Sequence, residues 1–217
     1  MPDGPILAID TSSDWVGVAV SDHDRMVQEN WWSGREQTRQ VLAVIDRLMR
    51  ANHLNPMDLA AVVVAIGPGS FSGLRVGIGI TEGIELAAGC PVVPVNTFVA
   101  TFASLEDQQY GIGVIRAGRN RLVWAHSSDV SQHRSGTIDD LIATVEPDSG
   151  IAVAGEINDD EAERLRVERG AVIHSAPARY RQAGALISAG RALLYAGGIS
   201  AGAPIQPTYL HPSAQQN

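Results

Sequence analysis

The chain opens on Ile6-Leu7-Ala8-Ile9-Asp10, apolar until its last residue, which reads as a buried strand. Residues 15–21 alternate with small side chains, and residues 25–32 form a third strand-like run after the turn Asp22-His23-Asp24. Three such runs joined by short polar turns predict an antiparallel meander. Ser33 and Glu36 have capping-box spacing ahead of a helix that reaches about residue 50. Its Val41, Leu42, Val44, Ile45, Leu48 and Met49 fall three and four apart and give a wide apolar face, some of it available to a partner. The apolar run 59–66 must lie parallel to the first strand, because a helix crosses between them. A helix over 74–88, a strand over 91–95 and a short helix over 97–105 close this unit. A second unit repeats the pattern: strands over 113–117, 121–127 and 130–134, a helix over 137–145, a strand over 151–154, a helix over 159–168, a strand over 171–174 and a helix over 183–196. The tail from residue 203 holds three prolines and reads as irregular. The doubled pattern, without sequence identity between its halves, predicts an α/β chain divided into 1–105 and 106–217.

The join between the strand at 59–66 and the helix after it is Gly67-Pro68-Gly69-Ser70-Phe71-Ser72-Gly73. Glycines here permit close backbone approach, and Ser70 or Ser72 can cap the helix. Such a turn either presents N–H groups to an anion or simply packs. A Walker loop is excluded, since no Lys follows Gly73. A dinucleotide fingerprint has one residue fewer before its last glycine and an acid where Asn96 stands. Neither serine is flanked as in a nucleophile elbow. The helix carries Gly73, Gly77 and Thr81 at four-residue spacing, a small face suited either to its own sheet or to a helix of another subunit.

With 217 residues the chain is long enough for one large or two small cored domains. Its net charge of −8 argues against a broad nucleic-acid footprint, so no direct strong binding of a nucleic acid is expected. The single cysteine, Cys90, has no intramolecular partner and sits in an apolar setting, which fits a reducing cytoplasm. No apolar stretch reads as a membrane span. The six histidines contain no pair at metal-ligand spacing, so no metal site is expected.

Residues 6–13, the segment Ala65-Ile66-Gly67-Pro68-Gly69-Ser70-Phe71-Ser72-Gly73-Leu74-Arg75-Val76-Gly77, and Pro94-Val95-Asn96-Thr97 resemble the TsaB family. Residues 114–125 are similar to that family's second-half opening, and Pro207-Thr208-Tyr209-Leu210 to its C-terminal Pro-x-Tyr-Leu. The resemblance covers about residues 5–126. It implies the actin-like (ASKHA, ribonuclease-H-like) fold, with two similar domains each built on a mixed five-stranded sheet. It also implies a role as the non-catalytic partner of TsaD in bacterial tRNA threonylcarbamoyladenosine synthesis, with no cofactor of its own. The helices at 36–50 and 71–88 would bind TsaD, through Thr38, Leu42 and Ile45 on the first and Gly73, Leu74, Arg75, Gly77, Ile78 and Thr81 on the second. An ATPase of the TsaE kind would join the complex. The same surface would form a homodimer when the chain is alone, and Leu42→Asp or Leu74→Asp would break it. In the superfamily the loop after the first strand touches ATP phosphates, so Asp10, Thr11 and Ser12 are vestigial nucleotide-binding candidates. TsaD's metal-binding His pair is missing, and Gln37-Thr38 stands where TsaB members usually have His-Ser.

The alternative is an ATP-dependent small-molecule kinase of the same superfamily. It would hold a hydrated metal on Asp10 and needs a second phosphate loop, for which residues 152–156 and 196–199 are the candidates. A peptidase lacks both a zinc pair and a Ser-His-Asp pattern.

Overall fold

The computed structural model describes residues 4–23, 25–34, 37–105, 110–118, 120–197, 202 and 204–209. Two sheets are present. The first contains β1 (Ile6–Asp10), β2 (Trp15–Asp22), β3 (Arg25–Trp32), β4 (Ala61–Ala65) and β5 (Val92–Val95), in the order β3-β2-β1-β4-β5. The meander is antiparallel, with Ile6 opposite Ser21 and Asp10 opposite Gly17, and β4 runs parallel to β1 as its crossover helix requires. Helices α1 (Gln37–Ala51), α2 (Phe71–Ala88) and α3 (Thr97–Phe102) follow their strands. Glu36, half of the expected capping box, lies outside the described residues, as do Arg35, Gly198, Ile199 and Leu210.

Both faces of the first sheet are covered, which is why β1 and β4 are apolar at nearly every position. Leu7, Ile9, Val16 and Val18 join Val41, Val44, Ile45, Leu48 and Met49 of α1 on one face. Ile6, Ala8, Ala19 and Val63 meet Leu186 and Ile187 on the other. These last two belong to α6 (Ala183–Ala196), which crosses from the end of the chain back onto the first sheet. Gly184 and Gly190 make that contact close: a Cβ at either would collide with the side chains of Met26 or Val63.

The second sheet contains β6 (Gly111–Arg116), β7 (Leu122–His126), β8 (Asp129–Gly136) and β9 (Ala152–Gly155), in the order β8-β7-β6-β9. Helices α4 (Ile138–Thr144) and α5 (Asp159–Arg169) cover one face, and α3 packs Phe98 and Phe102 on the other, against Ile115 and Val123. Burying Phe98 completely contributes about 3 kcal/mol. Among the described residues this sheet has four strands where five were expected. The run 171–174 forms only the bridge Ala152–Val172. Val172 is 54% exposed, and the Ile173 carbonyl accepts from the Arg166 side chain rather than from a ladder neighbour.

Candidate functional site

The two sheets meet where the loop after β1 faces the turn after β9. Asp10, Thr11, Ser12 and Ser13 are all buried, as is Glu156 across the junction. Arg181, also buried, lies between them. Its Nε donates to Asp10 Oδ2 at 2.9 Å, its Nη1 to Glu156 Oε1, and its Nη2 to Ser12 Oγ at 3.1 Å, Ser13 Oγ at 3.0 Å and the Trp15 carbonyl at 3.2 Å. Trp15 Nε1 returns a bond to the Arg181 carbonyl at 2.8 Å. The segment before α6 thus carries a guanidinium into the seam between the halves. Arg179, two residues earlier and also buried, ties the same segment to the Ile157 carbonyl and to Asp159.

This arrangement leaves the expected nucleotide loop engaged with its own chain. Asp10 Oδ1 accepts from the Ser12 amide and hydroxyl, and Thr11 Oγ1 donates to the Gly73 carbonyl at 2.7 Å. Gln37 donates to the Thr11 and Ser13 carbonyls at 3.1 and 2.9 Å. The side chains of Asp10, Thr11 and Ser12 therefore do not fit a nucleotide phosphate, since each is buried and bonded within the chain. Of the second-half candidates, the turn at 152–156 faces this loop through the Ser13–Glu156 hydrogen bond and ends in a buried carboxylate.

The cluster holds two carboxylates and one guanidinium. Burial acts to lower the Arg181 pKa, but Asp10 and Glu156 outweigh it and push the pKa up, so the guanidinium stays charged. Burial pushes the Glu156 carboxyl above its ordinary value of 4.5, against the pull of Arg181 and of the Ser13 hydroxyl. Its Oε2 meets no hydrogen-bond partner. The folded chain therefore holds a proton on Glu156 more tightly than the unfolded chain does. That contribution to stability is full below pH 4.5 and is lost as pH rises through the raised pKa. Glu156→Gln is expected to remove this component. The difference in melting temperature between mutant and wild type should move in the mutant's favour as pH rises from about 4.5 towards neutrality. Parallel melting curves would contradict it.

The glycine turn at 67–73 packs on this loop. The Ser70 amide donates to the Ser12 carbonyl at 2.6 Å, and Ser70 Oγ caps α2 by accepting from the Gly73 amide at 3.4 Å. The cap starts α2 at Phe71. Gly73 and Gly77 face Thr11, whose carbonyl and hydroxyl occupy the space of any Cβ. The structure thus divides the nine proposed partner residues. Gly73, Leu74, Gly77, Ile78, Thr81 and Ile45 are buried within the chain, whereas Thr38, Leu42 and Arg75 face outward. Leu74 is completely buried, so Leu74→Asp would unfold α2 rather than test a surface. The outward face is an apolar groove of about 510 Å³ between α1 and α2. Thr38, Leu42, Arg75, Val76, Ile80 and Ile84 line it, with Leu42 51% exposed.

The residue that sequence reasoning passed over is Arg181. Arg181 lies 171 residues from Asp10, and no local pattern links them. Among the described residues, no helix is long and apolar enough to cross a membrane.

Two β-β-β-α-β units joined face to loop define the actin-like, ribonuclease-H-like class. The family model of TsaD, tRNA N6-adenosine threonylcarbamoyltransferase, matches residues 32–153. The chain is 29% identical over 129 residues to the tRNA threonylcarbamoyladenosine biosynthesis protein TsaB of Haemophilus influenzae, covering 59% of this chain and 55% of that one. It is 33% identical over 94 residues to TsaB of Escherichia coli, covering 43% and 41%. The matched stretch thus spans about half the length of these curated relatives. The structure of YeaZ from Pseudomonas aeruginosa superimposes with a TM-score of 0.72 at 20% identity, over 95% of this chain and all of that one, a likeness of fold. The chain belongs to the TsaB family, and residues 32–153 carry the TsaD-type domain.

Proposed function

We propose that this chain is a non-catalytic scaffold subunit in tRNA N6-threonylcarbamoyladenosine synthesis. It binds a TsaD-type catalytic subunit through the outward groove of α1 and α2. The observation that carries the non-catalytic reading is the buried Asp10–Arg181–Glu156 cluster, because the carboxylate a kinase would need for its metal is already neutralised inside the seam. The same cluster disfavours the small-molecule kinase. The groove supports the docking reading: it is open and apolar, and its lining falls within the TsaD-type match. Work in the subunit is indirect, through preferential binding of the partner's active conformation. A TsaE-type ATPase joins the complex in the cytoplasm, and two copies of this chain pair through the groove when no partner is present. The division at residue 105 is part of this reading, with α6 lent back to the first unit.

Size exclusion with light scattering tests it, using the TsaD-type protein of the same organism. A one-to-one complex is expected, with the isolated chain dimeric and unable to hydrolyse ATP. Leu42→Asp should abolish complex and dimer at unchanged melting temperature. ATP turnover by the isolated chain, or a complex indifferent to Leu42→Asp, would overturn the reading.

A further inference from the structure

The tail was expected to be irregular and carries no role so far, yet it tracks α2 along its length. Gly202 donates its amide to Glu85 near the C-terminal end of the helix, at 2.7 Å. Ile205 packs on Val64, Ile78 and Val92 midway. The Thr208 amide donates to the Ile66 carbonyl at 2.7 Å, and Tyr209 reaches Phe71 at the first turn. The chain is shaped for this contact at Gly67, whose φ of 114° and missing Cβ admit the Thr208 carbonyl.

The strap ends in an exposed three-residue stack. Tyr209 lies on Phe71 with ring centroids 4.8 Å apart. The Arg75 guanidinium covers the Phe71 ring at 4.0 Å from its centroid, and Arg75 Nε donates to the Tyr209 hydroxyl at 3.3 Å. Among the described residues Arg75 has no carboxylate partner. Its two terminal nitrogens make no hydrogen bond there, and Phe71 is 54% exposed. The Phe71 ring and the Tyr209 hydroxyl hold one face and the Nε of the guanidinium, while its fork is open. Arg75 also lines one end of the α1–α2 groove.

We propose that the strap, residues 202 and 204–209, is the third element of the docking face. Through Tyr209 and Phe71 it holds Arg75 as a pre-set fork for an Asp or Glu side chain on the partner segment that fills the groove. The inference rests on the docking reading above and adds the chemistry of the occupant. A planar fork with both terminal nitrogens free matches a carboxylate in bidentate geometry. Arg and Tyr held rigid before contact lose little entropy on binding, which is the composition of an interface hot spot. The unpaired cation at the end of an apolar groove specifies an apolar ridge with one acidic residue beyond its end.

Calorimetric titration of the purified TsaD-type protein into wild type and variants, at low and high salt, tests this. Arg75→Met and Tyr209→Ala are each expected to weaken binding about tenfold, and Arg75→Glu more. The double variant should bind no worse than Arg75→Met alone, because Tyr209 acts through Arg75; a strap that only stabilised the fold would add its own loss. Arg75→Met should also flatten the salt dependence. If Arg75→Glu binds like wild type while Leu42→Asp does not bind, the docking groove stands and the fork is wrong. If both bind like wild type, the docking reading itself falls.

Discussion

Arg181→Met is expected to cost the fold about 3–5 kcal/mol. The change keeps the aliphatic stem and removes the charge. Asp10 and Glu156 are then left as two carboxylates in one sealed seam, and three hydroxyl or carbonyl oxygens lose the donor they share. Removing one partner of a buried ion cluster is far more damaging than replacing the whole cluster, since the strain lies in the uncompensated charges. The triple variant Arg181→Met, Asp10→Asn, Glu156→Gln should therefore recover most of the loss. Urea denaturation measures both, with the midpoint falling in the single variant and largely restored in the triple one. For a domain stable by about 5–15 kcal/mol the single change removes a fifth or more of the total. A midpoint shift worth under about 1 kcal/mol would mean that the seam is wet and the ions are solvated.

The cluster was the part least visible in the sequence. The first sheet, by contrast, was legible almost to the residue, because each strand carries its own burial pattern: β1 and β4 are sheathed on both faces, and β2 pairs with both neighbours in simple antiparallel register. Helix α1 was legible for the same reason, with five of its six apolar-face residues buried and Leu42 left over. The second sheet lost a strand because residues 171–174 pair beside β9 only at Val172, while the Ala171 amide and the Ile173 carbonyl bond to α5 instead. The return of α6 was hidden because a helix's own period says which face is apolar, not which sheet it covers. Arg181 follows from that return: it sits two residues before a helix whose destination only the tertiary fold decides. Charged residues in sequence read as solvated by default, and only a partner distant in the chain makes them otherwise.

Helix α2 posed a subtler ambiguity, because it has two glycine rows and the sequence does not say which faces inward. Gly73 and Gly77 form the inner row against Thr11, whereas Gly79 and Gly83 look out over the groove with nothing within 4 Å of where a Cβ would stand. The same substitution should therefore have opposite signs on the two rows. Gly73→Ala drives a methyl into the Thr11 carbonyl and disturbs the bond from the Thr11 hydroxyl to the Gly73 carbonyl, and is expected to destabilise by about 1–3 kcal/mol. Gly79→Ala and Gly83→Ala each relieve an exposed helical glycine at no steric cost and should stabilise by about 0.5–1 kcal/mol. Stability and binding then separate on the outer row. A methyl at Gly79 or Gly83 raises the floor of the groove, so the double variant should melt higher while binding the TsaD-type partner more weakly. Melting temperature and calorimetric affinity on the same three proteins decide the matter. A stabilised double variant with unweakened affinity would place the partner away from this groove floor. A Gly73→Ala protein as stable as wild type would mean that α2 is free to lift from the loop after β1, and that the glycine turn does not fix its position.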